Sequence, residues 1–150
     1  MNYKLLHNIF LAESFHSNEL TISVVGTSMF PTLLENDIVT VTKSKDYTIG
    51  DILVFVYKNN ELIVHRLLKK EHDIYFCKGD NSFRLEDITY EKIVGKVTKV
   101  NNHNISPCPA DLIEQSLNIH KKLTTLNYDI VKLKNTIMYK TYKKQYLRRK

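Results

Sequence analysis

The chain has 150 residues and a formal net charge of +6, with 43% hydrophobic and 25% charged residues. This length predicts one compact domain with its own core, and the composition excludes an intrinsically disordered protein. The chain contains no run of 18 apolar residues and no export-signal core at its start, so we expect a cytoplasmic protein without a spanning helix. The two cysteines, Cys77 and Cys108, lack disulfide or zinc spacing. We therefore expect reduced thiols, no metal and no cofactor.

The positive charge is concentrated at the C-terminal end of the chain. Residues 1–115 contain 12 Lys/Arg and 15 Asp/Glu, which is a net charge of −3. Residues 116–150 contain 10 Lys/Arg and one acidic residue, which is a net charge of +9. A nucleic-acid-binding domain would carry its basic charge throughout, so this distribution disfavours that class.

The pattern of apolar residues predicts three segments. Residues 3–15 have helical spacing, so we expect a short amphipathic helix within segment 1–19. Segment 20–106 contains short β-branched runs separated by Gly, Asn and Asp, and Asn59-Asn60 is typical of a tight turn. The fold class is therefore mainly β, a compact antiparallel domain. Its predicted strands are Thr21–Val25, Asp37–Thr42, Asp51–Tyr57, Leu62–Leu68, Ile74–Lys78 and Ile93–Val100.

The third segment, 107–150, begins at a break marked by Pro107 and Pro109. Beyond it, Asp111 to about Tyr146 has leucines and isoleucines at heptad spacing, which predicts one long basic helix. Three roles remain open for this helix. It could pack on the β domain, pair with a second copy or a partner helix, or contact anionic lipid at the inner membrane face. Nucleic-acid binding is the weakest alternative.

One segment carries candidate chemistry, and it runs from Gly26 to Leu33 as Gly-Thr-Ser-Met-Phe-Pro-Thr-Leu. It places Ser28 after a β-branched run and before a rigid turn, where a hydroxyl activated by a neighbouring base could act as a nucleophile. The segment resembles the nucleophile motif of the type I signal peptidases, whose superfamily also includes the LexA-type repressors. Further blocks resemble that family in the same order: Asn36–Val39, Gly50–Phe55, Val64–Leu67, Lys78–Ser82 and Ile93–Val97.

The resemblance implies that His65 is the base that activates Ser28. Most bacterial members have lysine at this position, whereas one branch of the family has histidine. A histidine titrates near neutral pH without the deep burial that a lysine base needs. A structural histidine in a strand is the alternative, and Lys69 and Lys70 lie outside the family register.

A carboxylate commonly orients such a histidine. The resemblance favours Asp87, with Asp80 second, and leaves Glu86 open. The segment Phe83-Arg84-Leu85 departs from the small residues that the family has before this acid.

The motif also implies the substrate and oxyanion region, which contains Ser28, Thr27, Met29 and Pro31. We expect the backbone N–H of Ser28 to be an oxyanion donor. Some members add a hydroxyl two residues before the serine, but here that residue is Gly26. Thr27 or another backbone group would have to contribute instead.

These features predict a serine endopeptidase that removes a leader or signal-like segment from a peptide or protein through an acyl-enzyme. The family works at the outer membrane face with a spanning anchor. The absence of such an anchor leads us to expect action inside the cell. Two alternatives stay open: a non-catalytic peptide-binding module on the same fold, and a protein that binds membranes or nucleic acid through its basic helix.

Overall fold

The computed structural model describes residues 18–125. The predicted helix at 3–15 and the end of the predicted C-terminal helix lie outside these residues. Eight strands and one α-helix make up the described part, together with single 3₁₀ turns at Lys58–Asn60 and Tyr90–Lys92. The elements are β1 (Glu19–Ser23), β2 (Ile38–Thr42), β3 (Ile52–Val56), β4 (Leu62–Glu71), β5 (Ile74–Lys78), β6 (Glu86–Thr89), β7 (Ile93–Val100), β8 (His103–Asn104) and α1 (Leu112–Thr125). The prediction of a mainly β, antiparallel fold is confirmed.

The strands form one sheet in the order β1-β2-β7-β3-β4-β5-β6, with β8 paired to β7. Every pairing is antiparallel. Apolar side chains are buried on both faces. In β3, Ile52 and Val54 belong to one core cluster, while Leu53 and Phe55 belong to another. A central strand that is buried on both sides needs an uninterrupted apolar run, which Ile52–Val56 supplies.

The strand boundaries differ from the prediction at several points. β1 ends at Ser23, so Val25 lies beyond the strand and is 86% exposed. The short strands β6 and β8 were not predicted. Two of the four residues of β6 are acidic, and β8 has only two residues, so neither has the longer β-branched run of the predicted strands. The turn at Asn59-Asn60 is confirmed, since both residues have positive φ, near 60°.

Helix α1 packs on the β domain. Leu112, Ser116 and Ile119 are buried, and the helix contacts β4. His120 Nδ1 lies 2.9 Å from the carbonyl oxygen of Phe83, in the segment before β6. Packing on the domain is thus confirmed for the described part of the helix. Helix pairing, lipid contact and the boundaries at residues 19/20 and 106/107 stay predictions.

Over residues 18–125, no helix is both long and apolar enough to cross a membrane.

Candidate active site

Ser28 lies in a tight turn between β1 and β2. The turn is closed by a backbone hydrogen bond from the Phe30 N–H to the Thr27 carbonyl, and the Leu33 N–H donates to the Met29 carbonyl. Met29 and Leu33 are buried in a core cluster and anchor the turn, whereas Ser28 itself is exposed. The local sequence thus fixes the backbone and leaves the hydroxyl accessible.

His65 lies on β4 opposite Leu53 of β3, and only 6% of its surface is exposed. Its Nε2 is 3.0 Å from Ser28 Oγ, which is hydrogen-bonding distance. The ring also meets Phe55 edge-on, at 6.3 Å between ring centroids. Packing therefore holds the imidazole toward the serine, as the base of a nucleophile–base pair must be held.

Glu86, at the start of β6, is the carboxylate that meets His65. Its Oε2 is 2.8 Å from His65 Nδ1, and both side chains are buried. A carboxylate oxygen accepts hydrogen bonds, so this contact favours the His65 tautomer with its hydrogen on Nδ1 and with the Nε2 lone pair toward Ser28 Oγ. Ser28, His65 and Glu86 thus form one continuous hydrogen-bonded chain.

The expectation that Asp87 orients His65 is corrected by this geometry. Strand β6 pairs Glu86 with Cys77, and Asp87 with Phe76, so the two neighbouring acids point to opposite sides of the sheet. Asp87 is exposed, whereas Glu86 is 4% exposed. The carboxylate beside His65 is the alternative that the sequence left open.

Asp80, the second predicted acid, is engaged elsewhere. It is fully buried, and Arg66 donates to both of its oxygens, at 2.9 and 2.8 Å. The hydroxyl of Thr32 donates to Asp80 Oδ2 at 2.6 Å, and Arg66 also donates to the Gly50 carbonyl. Because its oxygens accept these hydrogen bonds, Asp80 ties the loop after Ser28 to β4 and is not the carboxylate beside His65.

The turn Gly79–Ser82 lies directly against Ser28 and His65. A Cβ on Gly79 would lie 2.5 Å from the Ser28 carbonyl oxygen and 2.9 Å from His65 Nε2, so only glycine fits. The Asn81 N–H donates to the Ser28 carbonyl at 2.7 Å, and Asn81 Nδ2 donates to the Thr27 carbonyl. This turn therefore determines where the Ser28 backbone lies.

The other residues of the predicted substrate and oxyanion region have distinct positions. Thr27 is exposed and contributes its carbonyl to two hydrogen bonds. Met29 lines the groove described below, and Pro31 is buried. Gly26 has a φ of +79°, a backbone conformation in which a serine or threonine would be strained. This conformation explains why the position has no side-chain hydroxyl that could serve as an oxyanion donor.

An apolar groove of about 270 Å³ leads to Ser28 and His65. One wall is Ile22–Val25, at and beyond the end of β1, and the other is Leu62–His65 of β4. β4 pairs with β5 only from Arg66 onward, and β1 pairs with β2 alone among the described strands. Both walls therefore present strand edges on which an extended peptide could add main-chain hydrogen bonds.

The two cysteines do not contribute a nucleophile or a metal-binding group to this site. Burial raises the pKa of the Cys77 thiol, with a further contribution from nearby Glu86, and burial also raises the pKa of Cys108. Both thiols are free. Across residues 18–125, no three His, Cys, Asp or Glu side chains are grouped so that they could hold a metal ion.

The chain matches a known protein family over the range that contains this site. The model of the family described as Peptidase S24-like matches residues 3–98, which is more than half of the chain. Neither the curated proteins nor the solved structures include a match to this chain. The matched range contains Ser28, His65 and Glu86 as well as Asp80 and Arg66, and the antiparallel β fold agrees with it. The chain belongs to the Peptidase S24-like family.

Proposed function

We propose that this protein is a serine endopeptidase with Ser28 as nucleophile, His65 as general base and Glu86 as the orienting carboxylate. The observation that carries the proposal is the continuous chain Ser28 Oγ–His65 Nε2 and His65 Nδ1–Glu86 Oε2, at 3.0 and 2.8 Å. Serine needs an adjacent base to become nucleophilic at neutral pH, and that base needs a fixed tautomer. This arrangement meets both requirements.

The proposed reaction is acyl transfer in two steps. His65 accepts the hydroxyl proton while Ser28 Oγ bonds to the peptide carbonyl carbon, and the resulting imidazolium is stabilised by Glu86. The imidazolium then donates its proton to the leaving amine as the C–N bond breaks. In the second step His65 deprotonates a water, whose oxygen bonds to the ester carbonyl carbon. The imidazolium then returns the proton to Ser28 Oγ as the ester C–O bond breaks. The Ser28 N–H has no hydrogen-bond partner among the described residues, which suits it to hold the developing oxyanion.

An extended peptide is the proposed substrate, bound in the groove between Ile22–Val25 and Leu62–His65. Main-chain hydrogen bonds to the two strand edges would supply affinity that does not depend on side chains. The groove would then hold apolar side chains near the cut, because Ile22, Val24, Met29, Leu62 and Val64 line it. A leader or signal-like segment has this chemistry, so we propose signal-peptidase-like removal of such a segment as the biological activity.

A cleavage assay with a nucleophile control tests this proposal. The purified protein is incubated with small peptide precursors encoded beside its gene, and the products are identified by mass spectrometry. Ser28→Ala serves as the control, and a fluorophosphonate probe reports covalent reactivity of the serine without a substrate. We expect cleavage and labelling with the unmodified protein and neither with Ser28→Ala.

The same assay separates the alternative of a non-catalytic peptide-binding module. Peptide binding by both the unmodified protein and Ser28→Ala, without cleavage or probe labelling by either, would contradict the peptidase proposal and support the binding module.

A further inference from the structure

Lys78, the last residue of β5, is a buried cation that the proposed reaction does not use. Only 1% of its surface is exposed. Its ammonium donates to the carbonyl oxygens of Gly79, at 2.9 Å, and Ser82, at 2.6 Å. Burial lowers the pKa of this lysine to about 8, while the carboxylates of Asp80 and Glu86 act in the opposite direction. A methionine of similar size would avoid the cost of burying a charge, so the ammonium calls for an explanation.

The two carbonyls that Lys78 binds are the ends of the turn beneath the reactive pair. The Ser82 N–H donates back to the Gly79 carbonyl at 3.0 Å, so the ammonium and this backbone bond close the same turn. The opposite side of the turn touches the site, since Gly79 packs against the Ser28 carbonyl and His65 Nε2. The Asn81 N–H, in the middle of the turn, donates to the Ser28 carbonyl.

We propose that Lys78 is a positioning residue that holds the Gly79–Ser82 turn against Ser28 and His65 and so fixes the reacting distance between them. This inference rests on the proposed peptidase function. Lys78 touches neither the substrate groove nor the reacting atoms, and it acts through the backbone of the turn. Misplacing reacting groups by about 1 Å can cost roughly 100-fold in rate, so a support of this kind affects turnover directly.

The test compares Lys78→Met with the unmodified protein in two measurements. The first is the kcat and KM of peptide cleavage. The second is native-state hydrogen exchange of the Asn81 amide, which reports the bond between the turn and Ser28 without requiring activity. We expect kcat to fall by at least about tenfold with KM nearly unchanged. We also expect Asn81 exchange to accelerate by roughly tenfold or more, while the amides of β2 and β7 keep their protection.

Lys70→Met is the matched control. Lys70 also donates to a backbone carbonyl, that of Tyr47, and to Asp46, but it lies on the exposed part of β4 away from the turn. Neither kcat nor Asn81 exchange should change in this variant. Lys78→Arg keeps the charge and its donors, and we expect it to recover part of the kcat lost in Lys78→Met.

Several results would overturn the inference. It is wrong if Lys78→Met keeps the kcat and Asn81 exchange of the unmodified protein. It is also wrong if exchange rises equally throughout the sheet, because that pattern marks a purely structural role. If Lys78→Met does not fold, Lys78→Gln replaces it under the same criteria. Absence of cleavage by the unmodified protein would count against the proposed function alone, since Asn81 exchange still tests the turn.

Discussion

Replacing Glu86 with glutamine is the sharpest perturbation of the proposed reaction. The substitution keeps the size of the side chain but removes the negative charge 2.8 Å from His65 Nδ1. An amide can also donate a hydrogen bond to Nδ1, which would leave the hydrogen on Nε2 and remove the lone pair that faces Ser28. Two effects therefore act in the same direction: weaker stabilisation of the imidazolium and a shift toward the wrong tautomer.

The magnitude of this effect follows from the burial of the pair. The side chains of His65 and Glu86 are 7% and 6% exposed, so water screens their interaction little. A hydrogen bond to a charged group contributes about 1.5–3 kcal/mol. The imidazolium forms only on the way to the acyl-enzyme, so its lost stabilisation raises the activation barrier. A loss of about 3 kcal/mol corresponds to a rate reduction of roughly 150-fold, and the tautomer shift adds to it.

Asp87→Asn is the matched control for this experiment, because it removes one negative charge from the neighbouring residue on the same strand. Asp87 is exposed and faces away from His65, so the rate of peptide cleavage by Asp87→Asn should stay within about twofold of that of the unmodified protein. The assay is the rate of peptide cleavage together with the rate of fluorophosphonate labelling. Thermal unfolding of each variant confirms that the proteins compared are folded.

Three outcomes would refute the reasoning. Full activity in Glu86→Gln would show that the observed hydrogen bond to His65 does not contribute to the reaction. A large loss in Asp87→Asn with little loss in Glu86→Gln would restore the assignment that the sequence first favoured. An equal loss in both variants would indicate a general charge effect.

Three further predictions concern the supports of the site. Gly79→Ala should lower cleavage by about 100-fold or more, since its Cβ would meet the Ser28 carbonyl at 2.5 Å, and normal cleavage by a folded variant would contradict the packing. Asp80→Asn breaks the buried pair with Arg66 and should destabilise the protein by about 3–5 kcal/mol in urea unfolding, whereas a loss of activity at unchanged stability would point to a catalytic role. Lys78 has a pKa of about 8 when folded, below its ordinary 10.5, so between these values the unfolded chain retains a proton that the folded chain releases. Stability relative to Lys78→Met should therefore rise between pH 8 and 10.5, by up to about 3 kcal/mol, and a difference that stays flat would argue against this burial effect.

The family resemblance, and not a local pattern, linked Ser28 with His65 in the sequence. A serine in a turn beyond one strand and a histidine within another are 37 positions apart, and no local pattern brings them together. The ordered blocks of the family resemblance supplied this long-range information. The structure then brings Ser28 Oγ and His65 Nε2 to hydrogen-bonding distance. The β-branched runs likewise predicted six strands, since each has enough apolar residues to bury.

The carboxylate beside His65 could not be assigned from the blocks that resemble the family, because its position depends on the register of the four-residue strand β6. Spacing from the block Lys78–Ser82 fits Glu86 and Asp87 equally well, and only the side of β6 on which each residue lies distinguishes them. One signal was present in the sequence: Ile88 is apolar and buried, and residues two apart share a face of a strand. That rule selects Glu86. The segment Phe83–Leu85 differs from the small residues that the family has here, and its position in the fold explains this difference. Phe83 is buried, and its carbonyl oxygen lies 2.9 Å from His120 Nδ1 of α1.

The proposed role of Lys78 leaves no signal in the sequence. A lysine before Gly-Asp-Asn is typical of a solvated turn, and most lysines keep their charge in water. Its burial results from tertiary structure: β5 places it opposite Arg66, and the turn that follows folds back over its ammonium. Sequence patterns predict burial for apolar residues, because burying a charged side chain costs free energy. They therefore do not predict a buried lysine such as Lys78.

Two adjacent residues of β4, His65 and Arg66, contact different carboxylates. His65 pairs with Leu53 and lies on the same side of the sheet as Cys77 and Glu86, whereas Arg66 pairs with Ile52 and lies on the other side with Lys78. Strand alternation thus gives each basic residue its own carboxylate. Arg66 holds Asp80 in a closed, bidentate ion pair, which is a rigid support. Glu86 is the carboxylate beside His65, and in the proposed reaction it would stabilise the imidazolium. A shared carboxylate could not do both, because the bidentate pair would hold its oxygens away from the imidazole.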